Sequence, residues 1–202
     1  MAPRFVAKQL SRPTGLGGAL IRTLMNRGNA RLNGYAIDQL RLSREDSVIE
    51  IGFGGGVALP PLLSRAAFVC GVDRSPDVVE AASRRFSNPV RAGRAEFRLG
   101  AVESLPSPDG AFDKALSVNT VYFWDSLEGG AREIARVLKR EGRVVLGFVP
   151  KAKMDRMNMP TDIFTAREPD DVAAALRNAG FGEVEVRQPR DTGWMVATGK
   201  RA

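Results

Sequence analysis

Val48-Ile49-Glu50-Ile51-Gly52-Phe53-Gly54-Gly55-Gly56 is an apolar run that breaks into four glycines within five residues. Ser47–Ile51 reads as a short strand. Residues 57–65, after the glycines, read as a helix that holds Pro60-Pro61 in its first turn. Glycines between a strand and a helix turn the chain tightly and let a ligand approach the main chain with no Cβ in the way. The order G-x-G-G-G departs from the dinucleotide fingerprint G-x-G-x-x-G, and no Gly-Lys-Ser/Thr follows, which argues against a P-loop. Glu50, just ahead of the glycines, argues against a pyrophosphate nearby and suits a cationic ligand.

The next apolar strand, Ala67–Val72, leads into Asp73, 21 residues after Gly52. An acid at the end of the second strand is placed to accept hydrogen bonds from ribose hydroxyls. Glycine loop and acid together point to an adenosine-containing cofactor. Ser75 is the expected N-cap of a helix over 76–87, with Pro76 at its first position. Further strands are expected at Arg94–Leu99, at Ala111–Val118 after the Pro108-Asp109-Gly110 turn, and at Arg143–Val149. Helices are expected at 127–139 and at 168–180, the latter closed by Gly180. Strands at 183–188 and 193–199 follow, and their short link requires an antiparallel pair. Strands alternating with helices predict a mostly parallel sheet covered on both faces.

Two helices precede this alternation. One begins at Leu16 and carries Leu20, Ile21, Leu24 and Met25; the other covers about 29–41 with Leu32, Tyr35, Ala36 and Leu40 on one face. Gly15-Leu16-Gly17-Gly18 follows no strand and reads as a flexible entry to the first helix. Residues 150–168 break the rhythm. Met154, Met157, Met159 and Phe164 there make either an adaptable apolar lid over a substrate or a plain buried loop.

Composition narrows the chemistry. The 202 residues suit one ordinary domain, and they include no histidine and a single cysteine, Cys70. That excludes a Ser-His-Asp triad, a Cys-His pair and His-ligated or thiolate metal centres, so no metal is expected. Residues 1–46 hold eight basic side chains against three acidic ones, and the other 156 hold 22 against 20. The N-terminal basicity has three readings: an arm for nucleic acid or anionic membrane, a transit peptide, or a bias toward arginine (24 Arg to 6 Lys) on solvated faces. No run reaches the ~18 apolar residues of a membrane span, and the N-terminus lacks a secretory h-region, so a cytoplasmic protein is the expectation.

From about Ser47 to Phe148 the chain resembles the class I S-adenosylmethionine-dependent methyltransferases, of the small type-11-like kind. Four elements carry the resemblance in order: Glu50-Ile-Gly-Phe-Gly-Gly-Gly56, Gly71-Val-Asp73, the Gly100-to-Asp113 segment, and Arg136-Val-Leu-Lys-Arg-Glu-Gly142. The resemblance implies an α/β, Rossmann-like, doubly wound fold. Its sheet is seven-stranded and mostly parallel with an antiparallel last strand, and helices cover both faces. Residues 1–46 form a basic helical extension and 47–202 the methyltransferase domain, with 150–168 as a candidate substrate lid.

The resemblance also implies roles for residues. Gly52, Phe53, Gly54 and Gly56 form the turn under the methionine portion of S-adenosylmethionine, and Glu50 helps hold its amino group. Asp73 binds the ribose, with Arg74 beside the adenine. Gly100-Ala-Val-Glu-Ser-Leu-Pro106 aligns with the family's Gly-Asp-Ala-Glu-x-Leu-Pro, which sets the Val102 amide against the adenine ring. The family's acid for the exocyclic amine falls on Ala101, a departure for which Glu103 or a water substitutes. Asn119 ends the fourth strand, facing the transferring methyl.

Methyl transfer from a sulfonium requires alignment and exclusion of water, with no histidine or metal. Tyr122, Phe123 and Trp124 either wall a substrate pocket or lie in the core. Asp125 is either a base or the cap of the next helix. The segment Asn119-Thr-Val-Tyr122 lacks both prolines of the Asn/Asp-Pro-Pro-Tyr/Phe motif of nucleic-acid amino-methyltransferases. The expected function is methylation of a small, partly apolar acceptor. The alternatives are an RNA methyltransferase that uses the basic N-terminus, or an inactive adenosyl-cofactor-binding protein.

Overall fold

Ser47–Ile51 (β1) takes the middle of a sheet because Val48 through Ile51 are all buried, the pattern of a strand covered on both faces. In the computed structural model, which describes residues 30–190 and 192–202, β1 pairs in parallel with Phe68–Asp73 (β2) and Phe112–Val118 (β4). Ala95–Leu99 (β3) extends the sheet beyond β2, and Leu138–Phe148 (β5) extends it beyond β4, both in parallel. Met195–Arg201 (β7) then pairs antiparallel with β5 and with Phe181–Arg187 (β6). The order is β3-β2-β1-β4-β5-β7-β6, the expected seven-stranded, mostly parallel sheet.

Helices cover both faces. Residues 30–39 (α1), Leu59–Arg65 (α2) and Pro76–Arg85 (α3) share one core with Val48, Val69, Leu116 and Val145. A short helix, Ser87–Arg91 (α4), follows α3. Leu127–Val137 (α5) and Pro169–Asn178 (α7) pack against each other and share the other core with Ile49, Ile51, Val144 and Leu146. Between β5 and α7 lies Lys151–Arg156 (α6). Alternation along β1 thus sends Val48 and Glu50 toward the α1–α3 layer and Ile49 and Ile51 toward α5 and α7. The expected helix from Leu16 lies outside the described residues. The one expected at 29–41 is α1, whose Leu32, Ala36 and Ile37 are buried together with Leu40 just past its end. Leu32 is in van der Waals reach of the space above Gly147 on β5.

Several boundaries differ from the sequence reading for local reasons. The helix expected to end at 139 stops at Val137, and β5 starts at Leu138 instead of Arg143. Leu138 pairs with Phe112 and Arg143 with Lys114, so residues 139–142 form an irregular excursion inside the strand, with Glu141 left-handed at φ 65°. The helix expected over 76–87 ends at Arg85, and α4 is a separate turn. The last two strands begin two residues earlier and later than expected, and Glu183, left-handed, accompanies a register shift between Gly182 and Glu185. Ser75 occupies the N-cap of α3, but its side chain makes no capping bond there. Asp125 does not cap α5: Ser126 does, its Oγ accepting the Gly129 N–H at 2.9 Å.

That cap gives the first test. Ser126→Ala leaves the Gly129 amide without its acceptor and should lower stability by about 1 kcal/mol, read as a downward shift of the chemical-denaturation midpoint with an unchanged slope.

Candidate active site

The carboxyl ends of β1, β2 and β4 meet at one edge of the sheet, and the residues singled out from sequence gather there. Open α/β sheets bind ligands at this end because the loops that leave the strands diverge around a crevice. Gly52, Gly54 and Gly56 are all left-handed, at φ 71°, 49° and 68°, so the run makes a turn that other residues enter only with strain. Their surroundings differ. A Cβ on Gly52 would lie 2.4 Å from Thr120 Cγ2, and one on Gly56 would lie 3.0 Å from Leu59 Cδ1. A Cβ on Gly54 would meet nothing closer than the Gly52 carbonyl oxygen at 4.0 Å. Gly52 and Gly56 are glycines because protein packs on them, whereas Gly54 presents bare backbone to open space.

Asp73 ties this loop to β2. Its Oδ2 accepts the Gly54 N–H at 2.9 Å and its Oδ1 the Ser75 N–H at 3.0 Å. Burial raises the Asp73 carboxyl above the ordinary carboxylate range, and the Gly54 and Ser75 amides offset part of that. The Arg74 amide and charge also favour the carboxylate, and with about four lone-pair sites it keeps acceptor capacity for a hydroxyl. Glu50 is 5% exposed, and its Oε2 has no hydrogen-bond partner among the described residues. Burial pushes its carboxyl up to about 8, with a further push from the Asp73 charge. Phe53 turns its side chain away from the edge into the core, 5.5 Å from the Phe97 ring, so it offers the loop only its backbone.

The opposite wall is the turn after β4. Asn119 is left-handed at φ 59°, donates its N–H to the Gly147 carbonyl at 2.7 Å, and accepts from the Tyr122 hydroxyl at 3.0 Å. That hydroxyl also accepts the Val149 N–H, and burial raises its pKa. Tyr122 and Trp124 are each only 4% exposed, and the Trp124 Nε1–H donates to Thr120 Oγ1 at 3.2 Å. Phe123 is half-buried: its ring lies 4.8 Å from that of Phe164, and the Arg74 guanidinium sits 5.6 Å from its centroid. Asp125 is exposed. In the neighbouring loop Ala101 is exposed, Val102 is buried, and Glu103 accepts the Asp125 N–H at 2.8 Å. Of the apolar residues in 150–168, Met154 and Phe164 are in the core, Met159 packs against it, and Met157 is exposed.

Four further residues support the site, of which only Arg136 stood in a motif that carries the resemblance in the sequence. Thr120 fills the space beside Gly52 and accepts from Trp124. Arg167 donates to the Val121 and Trp124 carbonyls, which clamps the turn after β4 from the far side of the 150–168 segment. Arg136 donates to the Leu105 and Ser107 carbonyls, and Glu133 accepts the Leu105 N–H, so α5 holds the loop that contains Val102 and Glu103. No group of three or more His, Cys, Asp and Glu side chains among the described residues could hold a metal. No described helix is long and apolar enough to cross a membrane.

Comparison with known proteins agrees with this geometry. A family model described as a methyltransferase domain matches residues 49–146. The chain is 30% identical over 166 residues to the uncharacterized methyltransferase YdaC of Bacillus subtilis, covering 81% of this chain and 87% of that protein. It is 26% identical over 187 residues to the erythromycin 3''-O-methyltransferase of Saccharopolyspora erythraea, covering 83% of this chain and 60% of the relative. The crystal structure of the YcgJ protein of Bacillus subtilis matches its fold with a TM-score of 0.70 at 20% identity, over 85% of this chain and 98% of that one. The glycine loop, the acid after β2 and the sheet order thus have their explanation in descent: the chain belongs to the S-adenosylmethionine-dependent methyltransferase family and is a methyltransferase.

Proposed function

We propose that this chain binds S-adenosylmethionine at the edge formed by β1, β2 and β4 and transfers its methyl group to a small, partly apolar acceptor. The observation that carries the reading is the convergence of three features on one crevice. They are bare backbone at Gly54, a carboxylate with spare acceptor capacity at Asp73, and an unpaired buried carboxyl at Glu50. These residues fit the three parts of the group: the loop passes under the methionyl chain, Asp73 takes the ribose hydroxyls, and Glu50 faces the ammonium. Arg74 and the Ala101–Glu103 loop flank the adenine, with the Val102 amide toward its ring. When bound, the cofactor supplies a methyl group on a positively charged sulfur.

The remaining work falls to positioning. Asn119, fixed by Tyr122 at the end of β4, marks where the acceptor approaches. Phe123 and Phe164 present an aromatic face beside Arg74, and Tyr122 and Trp124 back that wall. Residues 150–168 cover it, anchored through Met154 and Phe164, with Met157 free to meet an apolar acceptor. Such a wall excludes water from the transfer. The likeness to an antibiotic O-methyltransferase supports a small-molecule acceptor.

Calorimetry with S-adenosylhomocysteine and with NAD tests the cofactor. A methyl-transfer screen with labelled S-adenosylmethionine, over small apolar hydroxyl, amine and carbon acceptors and over RNA, tests the acceptor. Tight NAD binding without a response to S-adenosylhomocysteine would reject the cofactor, and transfer to RNA alone would reject the small acceptor.

The glycines separate packing from binding. Gly54→Val should leave a folded protein, destabilised by about 1–2 kcal/mol from its left-handed backbone, that no longer binds S-adenosylhomocysteine. Gly52→Ala should instead destabilise by about 1–3 kcal/mol by driving a methyl into Thr120, visible in the ligand-free melting curve. Asp73→Ala should do both. It releases two amides, which lowers the melting transition, and it loses charge-assisted bonds to the ribose, which weakens S-adenosylhomocysteine by roughly 10- to 150-fold, about 1.5–3 kcal/mol. A lowered transition with unchanged affinity would assign Asp73 to the loop alone.

A further inference from the structure

Among the described residues Glu50 carries the buried side-chain oxygen that has no hydrogen-bond partner. It shares the α1–α3 face of β1 with Val48, and its strand neighbours are Gly71 and Leu116, neither of which offers a side-chain donor. An ionised carboxylate buried with an unpaired oxygen is costly. Among the described residues, the charged groups around it do not relieve the cost. Asp73 is the nearest contributor and is itself an acid. Lys114, farther down β4, is engaged with Asp46 at 3.9 Å. On the covering helices, Asp38 and Arg65 pair with each other at the exposed surface, and Arg84 pairs with Glu80. Arg85 reaches the Gly55 carbonyl from the outer side of the loop, at 3.5 Å.

We propose that Glu50 is a neutral carboxylic acid in the ligand-free protein and becomes a carboxylate when the ammonium of the cofactor's methionyl end docks beside it, so that binding expels one proton to solvent. The inference rests on the cofactor reading above. The balance is simple. The Glu50 O–H bond breaks, the proton goes to buffer, the ligand's ammonium keeps its own three protons, and an ion pair replaces a buried neutral acid. An opposite charge within about 4–6 Å is what makes the ionised form the favourable one. Cofactor affinity is then pH-linked through a carboxyl that titrates near 8 in the free protein, so acidification weakens retention of cofactor and product alike.

Calorimetry of the wild-type chain in two buffers of different ionisation enthalpy counts the protons. S-adenosylhomocysteine should release close to one proton at about pH 6.5 and progressively less above about pH 8, and its Kd should improve by up to about tenfold per pH unit below 8. Methylthioadenosine, which keeps the adenosine and lacks the amino-acid end, should bind with no proton release and no pH slope. Glu50→Gln should lose the slope for S-adenosylhomocysteine and fall further behind wild type as pH rises. Without ligand, the folded Glu50 carboxyl titrates above its unfolded value. Its stabilising contribution is therefore whole below the unfolded pKa and lost as pH rises toward about 8. Wild-type melting temperature should accordingly fall over that range more than that of Glu50→Gln. If the variant does not fold, the wild-type proton count decides alone. S-adenosylhomocysteine binding without proton release at about pH 6.5, or with proton uptake, overturns the proposal while the cofactor reading stands. Proton release with methylthioadenosine also overturns it. Binding of neither ligand overturns both.

Discussion

A carboxyl group buried without a full set of partners is the constraint on which this site depends. Glu50 sits on a central strand whose other buried residues are apolar, where hydrophobic burial favours Val or Ile. Among the described residues Glu50 Oε2 has no hydrogen-bond partner, and the charge that acts on it, Asp73, is of the wrong sign to help. Such a group persists where a ligand completes it, and perturbed carboxyls in a crevice mark functional sites for that reason. The glycine loop directly above has the complementary property. Gly54 exposes main chain with no side chain in front of it, and Asp73, which accepts its N–H, is also the charge that acts on the buried Glu50 carboxyl.

Around that space the protein is fastened by hydrogen bonds to carbonyls and amides that have left the sheet. Strand ends expose backbone groups that need partners. Asp73 takes two amides, Arg136 and Glu133 hold the loop after β3, and Arg167 holds the turn after β4. The Ser117 hydroxyl donates to the Ile51 carbonyl, joining the ends of β4 and β1 directly beneath the glycines. The loops are therefore set by charged side chains of β2, α5 and the segment that precedes α7. The element Arg136-to-Gly142, conspicuous in the sequence, has a plain purpose in this light: its arginine anchors the loop that flanks the proposed adenine site.

Much of the fold was legible because each signal was local. Period-two and continuous apolar runs mark strands, Ser75-Pro76 and Glu168-Pro169 mark helix starts, and Gly180 at φ 89° marks a helix end. Where the pairing inside a strand was missed, a non-glycine residue had taken a left-handed conformation. Glu141 and Glu183 carry no such preference, so the excursion inside β5 and the register shift in β6 were invisible until neighbouring strands imposed them. The aromatic run Tyr122-Phe123-Trp124 was equally open to a wall or to a core. The tertiary structure divides it: Phe123 is half-buried near the crevice, while Tyr122 and Trp124 are buried and hydrogen-bonded to Asn119 and Thr120.

The sequence by itself determined the order of strands and helices, the turn that needs glycine, and the acid 21 residues beyond it, because backbone geometry and burial periodicity act over a few neighbouring residues. It also removed histidine and metal-thiolate chemistry, since a missing residue type cannot be restored by folding. The tertiary structure decided which glycine is packed and which is open, which aromatic stays half-buried, and that Glu50 Oε2 finds no hydrogen-bond partner among the described residues. Those properties belong to groups that meet across strands, from Gly52 to Thr120 and from Gly54 to Asp73. Contacts of that range are set by packing the whole sheet, and no local pattern encodes them.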